Sequence, residues 1–168
     1  MHSRQPLPRL WLMTDERQGD ALLPAIERMP RGAGIVFRHY GLPPAERRAL
    51  WDQVRSAGRR QGLTLIVAGP VLPGADGSHN RRGAGLRTWS AHNLREIRSA
   101  ERAGADLIFL SPVFPTRSHP DAAVLGPGRF ALLAHQAFVP VIALGGMDRG
   151  KARTLNGAYG WAGIDAWA

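Results

Sequence analysis

The chain contains no cysteine, which excludes disulfides, thiolate nucleophiles and cysteine-ligated zinc or iron–sulfur sites together. Lysine is almost absent too: Lys151 is the single one among 22 basic residues. With 13 acidic residues the formal net charge is +9, which favours anionic partners such as phosphorylated metabolites, nucleic acid or membrane surfaces. The arginines are scattered, as in Arg47-Arg48, Arg59-Arg60 and Arg81-Arg82. No basic strand is interleaved with aromatics, which argues against nucleic acid. No apolar run approaches the roughly 20 residues needed to cross a bilayer, and Met1 to Asp15 lacks the features of a secretory signal. The expectation is a cytoplasmic protein, not attached to a membrane. Its partners would be phosphorylated small molecules, with room for a homo-oligomer.

What is present is a rhythm of short apolar runs alternating with helical patterns, read as one domain over residues 1–168. Leu10 to Met13, Ile35 to Phe37, Leu63 to Val67, Leu86 to His92, Leu107 to Leu110, Pro140 to Leu144 and Gly160 to Ala166 read as strands. Helical spacing follows the first two runs, in Leu22, Leu23, Ile26 and Met29 and then in Leu50, Val54 and Ala57. It returns in Leu94, Ile97 and Ala100 behind the capping-box pair Asn93 and Glu96, in Phe130, Leu133 and Ala137, and from Asp148 to Leu155. Residues 70–85 are too rich in glycine and proline for a helix and leave at most a strand stub at Gly77 to His79. Eight parallel strands in this order predict an α/β protein, a compact (β/α)8 TIM-type barrel with some helices replaced by loops around residues 70–85.

A barrel places its chemistry where strands end in loops. Gly145-Gly146 follows a buried strand, where bare amides and the start of the Asp148 helix would suit a phosphate. Thr116, Arg117 and Ser118 offer hydroxyl and guanidinium donors beyond the Leu107 strand, and Arg38 ends a strand with a fork suited to phosphate oxygens. His39, His79, His92 and His119 could converge on the same face, but their spacing matches no metal motif. Ser90 with His92 lacks the turn of an activated serine nucleophile.

These segments resemble the thiamine phosphate synthase family and its thiazole tautomerase relatives. L-W-L-M-T-D at Leu10 to Asp15 is similar to that family's L-Y-L-V-T-D, and Ser90-Ala91-His92-Asn93 to its S-T-H-S. S-P-V-F-P-T-R-S-H at Ser111 to His119 is similar to G-P-V-F-x-T-x-(S/T)-K, and V-P-V-I-A-L-G-G-M at Val139 to Met147 is a further close match. The resemblance implies a (β/α)8 barrel and a transferase of thiamine biosynthesis, which joins hydroxymethylpyrimidine diphosphate to thiazole phosphate and releases diphosphate. It further implies Arg38, Ser90 and His119 as catalytic residues. Arg38, Thr116, Ser118, Gly145 and Gly146 would bind phosphate.

The resemblance also implies Mg²⁺, yet no cofactor is evident, because the carboxylates that would hold the metal are missing. Ala68-Gly69-Pro70 stands where N-D-R is expected, and Asn80 to Ala84 contains no acid. Val36 and Tyr40 replace Gln and Lys beside Arg38, His119 replaces the loop Lys, and Asp165 replaces a Ser near the thiazole phosphate. Impaired activity is therefore expected, unless Arg81, Arg82 and Arg117 supply the missing positive charge. The alternatives are a metal-free tautomerase using His119 or His39 in place of a histidine absent at Pro112, and a non-catalytic binder of thiazole or thiamine phosphate.

Overall fold

The computed structural model describes residues 6–167. Eight strands, β1 Leu10–Met13, β2 Gly34–Phe37, β3 Thr64–Ala68, β4 Gly77–His79, β5 Leu86–Ala91, β6 Leu107–Leu110, β7 Val141–Ala143 and β8 Gly160–Gly163, pair in parallel in sequence order, and β8 returns to β1. The three-residue β4 is the stub in the loop region, and its pairing with both β3 and β5 closes the barrel.

Side chains alternate as the pleat demands. Trp11, Met13, Val36, Ile66, Leu107, Phe109 and Ile142 fill the barrel, while Leu12, Ile35, Phe37, Leu65 and Val67 pack outward under the helices. Trp11 is the largest internal side chain and meets the Phe109 ring edge-on at 5.4 Å. It dictates its neighbour: a Cβ on Gly34 would overlap the indole, so only glycine fits beside it.

Helix α1 (Leu22–Arg28) follows a 3₁₀ turn, Glu16–Ala21, capped by Asp15 and Gln18 in a capping box that lies outside the helices expected from sequence. The longest helix, α2 (Pro44–Arg60), has proline and Glu46 in its first turn and Arg59 and Arg60 in its last, matching the helix dipole. It buries Trp51, Val54 and Ala57 against β2 and β3. At α3 (Leu94–Arg102) the expected box is altered. Asn93 accepts from the Glu96 amide, but the Glu96 carboxylate reaches back to the His92 amide instead of that of Asn93. Helix α4 (Gly126–Gln136) leads into β7. Helix α5 spans Arg149–Ala152 only, shorter than expected, and strand β8 stops at Gly163, short of the expected Ala166.

The barrel is small because the two connections flanking β4 carry no helix. An aspartate holds the first of them instead. In Gly74-Ala75-Asp76 the Asp76 carboxylate accepts from the Leu65 amide at 2.8 Å while its own amide donates to the Leu65 carbonyl. Gly104-Ala105-Asp106 repeats the device on Arg87 before β6. After β8, Trp167 stacks on Trp161 at 5.1 Å and covers the outside of the strand.

Candidate active site at the barrel mouth

At the C-terminal ends of the strands lies a cavity of about 600 Å³. Its wall contains Arg38, Ser90, Thr116, Ser118, His119 and Gly145, six of the seven residues expected from sequence. The seventh, Gly146, lines an adjoining cleft of about 410 Å³, which shares Thr116, Ser118, Leu144, Gly145 and Ile164 with the first. A larger hollow of about 890 Å³ lies at the opposite end of the barrel, around Leu7, Pro8 and Pro30. Among the described residues no cluster of titratable groups converges there.

The cleft is built on backbone. Gly145 and Gly146 have φ of +102° and +58°. A Cβ on Gly145 would lie 2.7 Å from Pro112 Cα, and one on Gly146 would overlap the Pro115 carbonyl. Glycine is thus required at both places, and among the described residues neither amide donates to an acceptor. The four-residue α5 is too short to lend the helix dipole that the longer expected helix would have brought. A lysine takes its place: Lys151 Nζ donates to the Gly146 carbonyl at 2.7 Å and lies on the cleft wall. Sequence reasoning missed it, although its position within one turn of the helix after Gly-Gly is a signal for it.

Arg38 is fixed rather than free. Its Nε donates to the Thr14 carbonyl at 2.8 Å and its Nη2 reaches Asp15 at 3.4 Å. Burial lowers its pKa, opposed by the Asp15 charge. Burial in turn pushes the Asp15 carboxyl up, but hydrogen bonds and charge from Arg17, with the charge of Arg38, hold it below the usual range. Arg17, which carries no local signal in the sequence, donates to Ser118 Oγ at 2.9 Å across 101 residues of chain. It ties the β6 loop to the end of β1. Its own pKa is raised by its hydrogen bond to Asp15 and by the charges of Asp15 and Asp165, so the exposed Asp165 beside the cleft faces a cation.

The floor is a histidine relay. His79 is 3% exposed and lies edge-on to Phe109. Its Nδ1 meets Thr88 Oγ1 at 2.9 Å and its Nε2 meets Ser90 Oγ at 3.0 Å. Burial, reinforced by the Arg38 charge, lowers its pKa to about 3, so it is neutral at pH 7. The fully buried Thr88 hydroxyl has a second acceptor, the Ser78 carbonyl, only at 3.5 Å. Both ring nitrogens thus have a hydroxyl partner, and the tautomer decides which of them donates.

Of the other histidines expected at this face, His92 and His119 line the same cavity and only His39 does not. His39 is buried, bonded to Thr14 Oγ1 at 2.9 Å and stacked on Phe37, away from the cavity, which removes it as a proton carrier there. His92 accompanies the Ser111 carbonyl at 2.8 Å, and His119 is exposed at the rim.

A family model described as thiamine monophosphate synthase matches residues 83–167. A putative thiamine-phosphate synthase of Aquifex aeolicus is 32% identical, over 94% of this chain and 96% of that protein. The thiamine-phosphate synthase of Geobacillus thermodenitrificans is 35% identical over 79% and 70%. The chain belongs to the thiamine-phosphate synthase family. Thiamine phosphate pyrophosphorylase from Pyrococcus furiosus superposes with a TM-score of 0.79 at 26% identity, covering 95% of this chain and 86% of that one.

Magnesium, which the family resemblance implies, does not fit the residues of this mouth. A hard divalent cation needs anionic or carbonyl oxygen, and the cavity wall carries no carboxylate. Asp15, beside it, is engaged by Arg17 and Arg38. Among the described residues no three His, Asp or Glu side chains gather as a metal cluster. None of the arginines expected to compensate lines this cavity: Arg82 is exposed, Arg81 turns to the Gly69 carbonyl, and Arg117 lines the adjoining cleft.

Proposed function

We propose that the chain joins a hydroxymethylpyrimidine diphosphate to a thiazole phosphate. The observation that carries this reading is the pair of adjoining compartments with one shared wall. One is floored by Ser90 and flanked by Arg38, and the other is lined by the free Gly145 and Gly146 amides and Lys151. Two phosphorylated substrates that must react with each other need two anion sites a short distance apart, and the shared Thr116 and Ser118 hydroxyls lie between them.

In this reading the bond from the pyrimidine methylene to diphosphate breaks, and the thiazole nitrogen captures the resulting cation. Charge develops on the leaving oxygen, where Arg38 and the Ser90 hydroxyl would meet it with donors already in place. His79 holds the Ser90 hydroxyl in place at 3.0 Å and, its pKa lowered by burial, stays unprotonated at pH 7. The apolar side chains of Met13 and Leu144 in the same wall give the cation a surface that offers water no hydrogen bond.

The test is incubation with both phosphorylated substrates while thiamine phosphate is followed. Formation of product, abolished in Gly146→Ala, supports the reading. Binding of both substrates with no product over a long incubation overturns it and leaves a binding protein.

A further inference from the structure

We propose that the mouth holds a diphosphate group without a divalent cation, because the positive charge a metal would bring is built into the chain as the guanidinium groups of Arg47 and Arg81 behind Arg38. The choice of diphosphate as the anion rests on the synthase reading above.

The observation lies at the end of β3. Each of three consecutive residues leaving the strand gives its carbonyl to an arginine. Arg47 Nη2 donates to Ala68 at 2.5 Å, Arg81 Nη1 to Gly69 at 3.1 Å and Arg47 Nη1 to Pro70 at 3.4 Å. Arg47 is equally engaged beyond β2, where it donates to the carbonyls of His39 at 3.2 Å and Arg38 at 3.4 Å. The side chains of Ala68, Gly69 and Pro70 carry no oxygen, so the rim that could have offered ligands to a cation has its carbonyls turned to guanidinium.

The charge of these arginines is not cancelled. Among the described residues neither Arg47 nor Arg81 forms an ion pair. Arg47 is 6% exposed, and its hydrogen bonds all go to neutral carbonyls. Two guanidinium groups paired only with dipoles, beside low-dielectric walls, project positive potential into the space in front of them. A dication approaching the ends of β2 to β4 would meet like charge and no carboxylate in the cavity wall. A polyanion would meet attraction, with Arg38 and the Ser90 hydroxyl as its direct donors.

Calorimetric titration of inorganic pyrophosphate, once in EDTA and once in excess Mg²⁺, tests this on the full chain. Saturable binding in EDTA that Mg²⁺ does not strengthen is expected. Arg38→Gln should weaken it by roughly tenfold or more, as loss of a charged hydrogen bond does. Arg81→Met, which keeps the stem and removes the charge, should weaken it about threefold by a screened field effect. Titration of inorganic phosphate into the Gly145-Gly146 cleft should be unchanged in Arg81→Met, and its melting temperature shows whether the variant is folded. Binding that appears only with Mg²⁺ overturns the proposal, as does a folded Arg81→Met that binds pyrophosphate as tightly as the parent. The synthase reading fails separately. Metal-free pyrophosphate binding without thiamine phosphate formation sinks that reading and leaves this one, and Mg²⁺-dependent turnover does the reverse.

Discussion

From β6 to β8 the mouth is made of backbone amides and hydroxyls, held in place by glycine at Gly145 and Gly146; from β2 to β4 only Arg38 stands in its wall, backed outside the cavity by Arg47 and Arg81, which are bonded to five carbonyls between them. The shape of the first half is decided by what can fit beside Pro112 and Pro115. The second is decided by charge: long side chains from α2 and the β4 loop reach strand ends that no helix covers. In the proposed function these are two ways of receiving phosphate, one steric and one electrostatic, on the same barrel.

Breaking the electrostatic half should cost most. Arg47→Met leaves buried carbonyls at β2 and β3 without donors and should destabilise by about 3 kcal/mol, read as a fall in the denaturant midpoint. Next comes the steric half. Gly146→Ala forces a Cβ toward the Pro115 carbonyl at positive φ and should cost about 2 kcal/mol. Thiazole phosphate affinity should fall with it while pyrophosphate affinity is retained, and equal loss of both would mean the halves are not separable.

Acid acts through the floor beneath the arginine half. The His79 pKa falls from 6.5 to about 3 on folding, so between these values the unfolded chain binds a proton that the folded chain does not. Stability is therefore full above pH 6.5 and is lost as pH falls toward 3, by roughly 2 kcal/mol at pH 5. His39, its pKa also lowered by burial, adds in the same direction. Urea unfolding of His79→Gln should show a flatter pH dependence over this window than the parent. The smallest effect is expected for Arg17→Ala, which removes an exposed link between β1 and the β6 loop at Ser118. Stability should change by under about 1 kcal/mol, while KM for the substrates rises as the loop loosens.

Much of this architecture is legible in the order of residues. Leu107 to Leu110 and Val141 to Ala143 are strands because short apolar runs between turn residues leave the backbone few other ways to be buried, and Gly145-Gly146 marks a turn for the same local reason. The histidines show where such reading stops. His39 and His79 look alike in sequence, each next to a strand end, yet one stacks outside the cavity on Phe37 and the other carries the floor under Ser90. The expected helix at Asp148 fails similarly: its capping residue is right, but the loop Thr154 to Ala158 turns into β8 too soon for more than one turn.

The sequence by itself determined the succession of strands and helices, the glycine turn and the family, since these depend on neighbours in the chain; that the short β4 closes the barrel was decided by its long-range pairing with β3 and β5. Only the tertiary structure decided which arginines matter. Arg47 sits among five arginines of α2 with nothing local to distinguish it, and Arg81 stands beside an exposed Arg82. Their roles come from carbonyls 8 to 23 residues away, which a flexible guanidinium stem can reach only once the strands that carry them are in place.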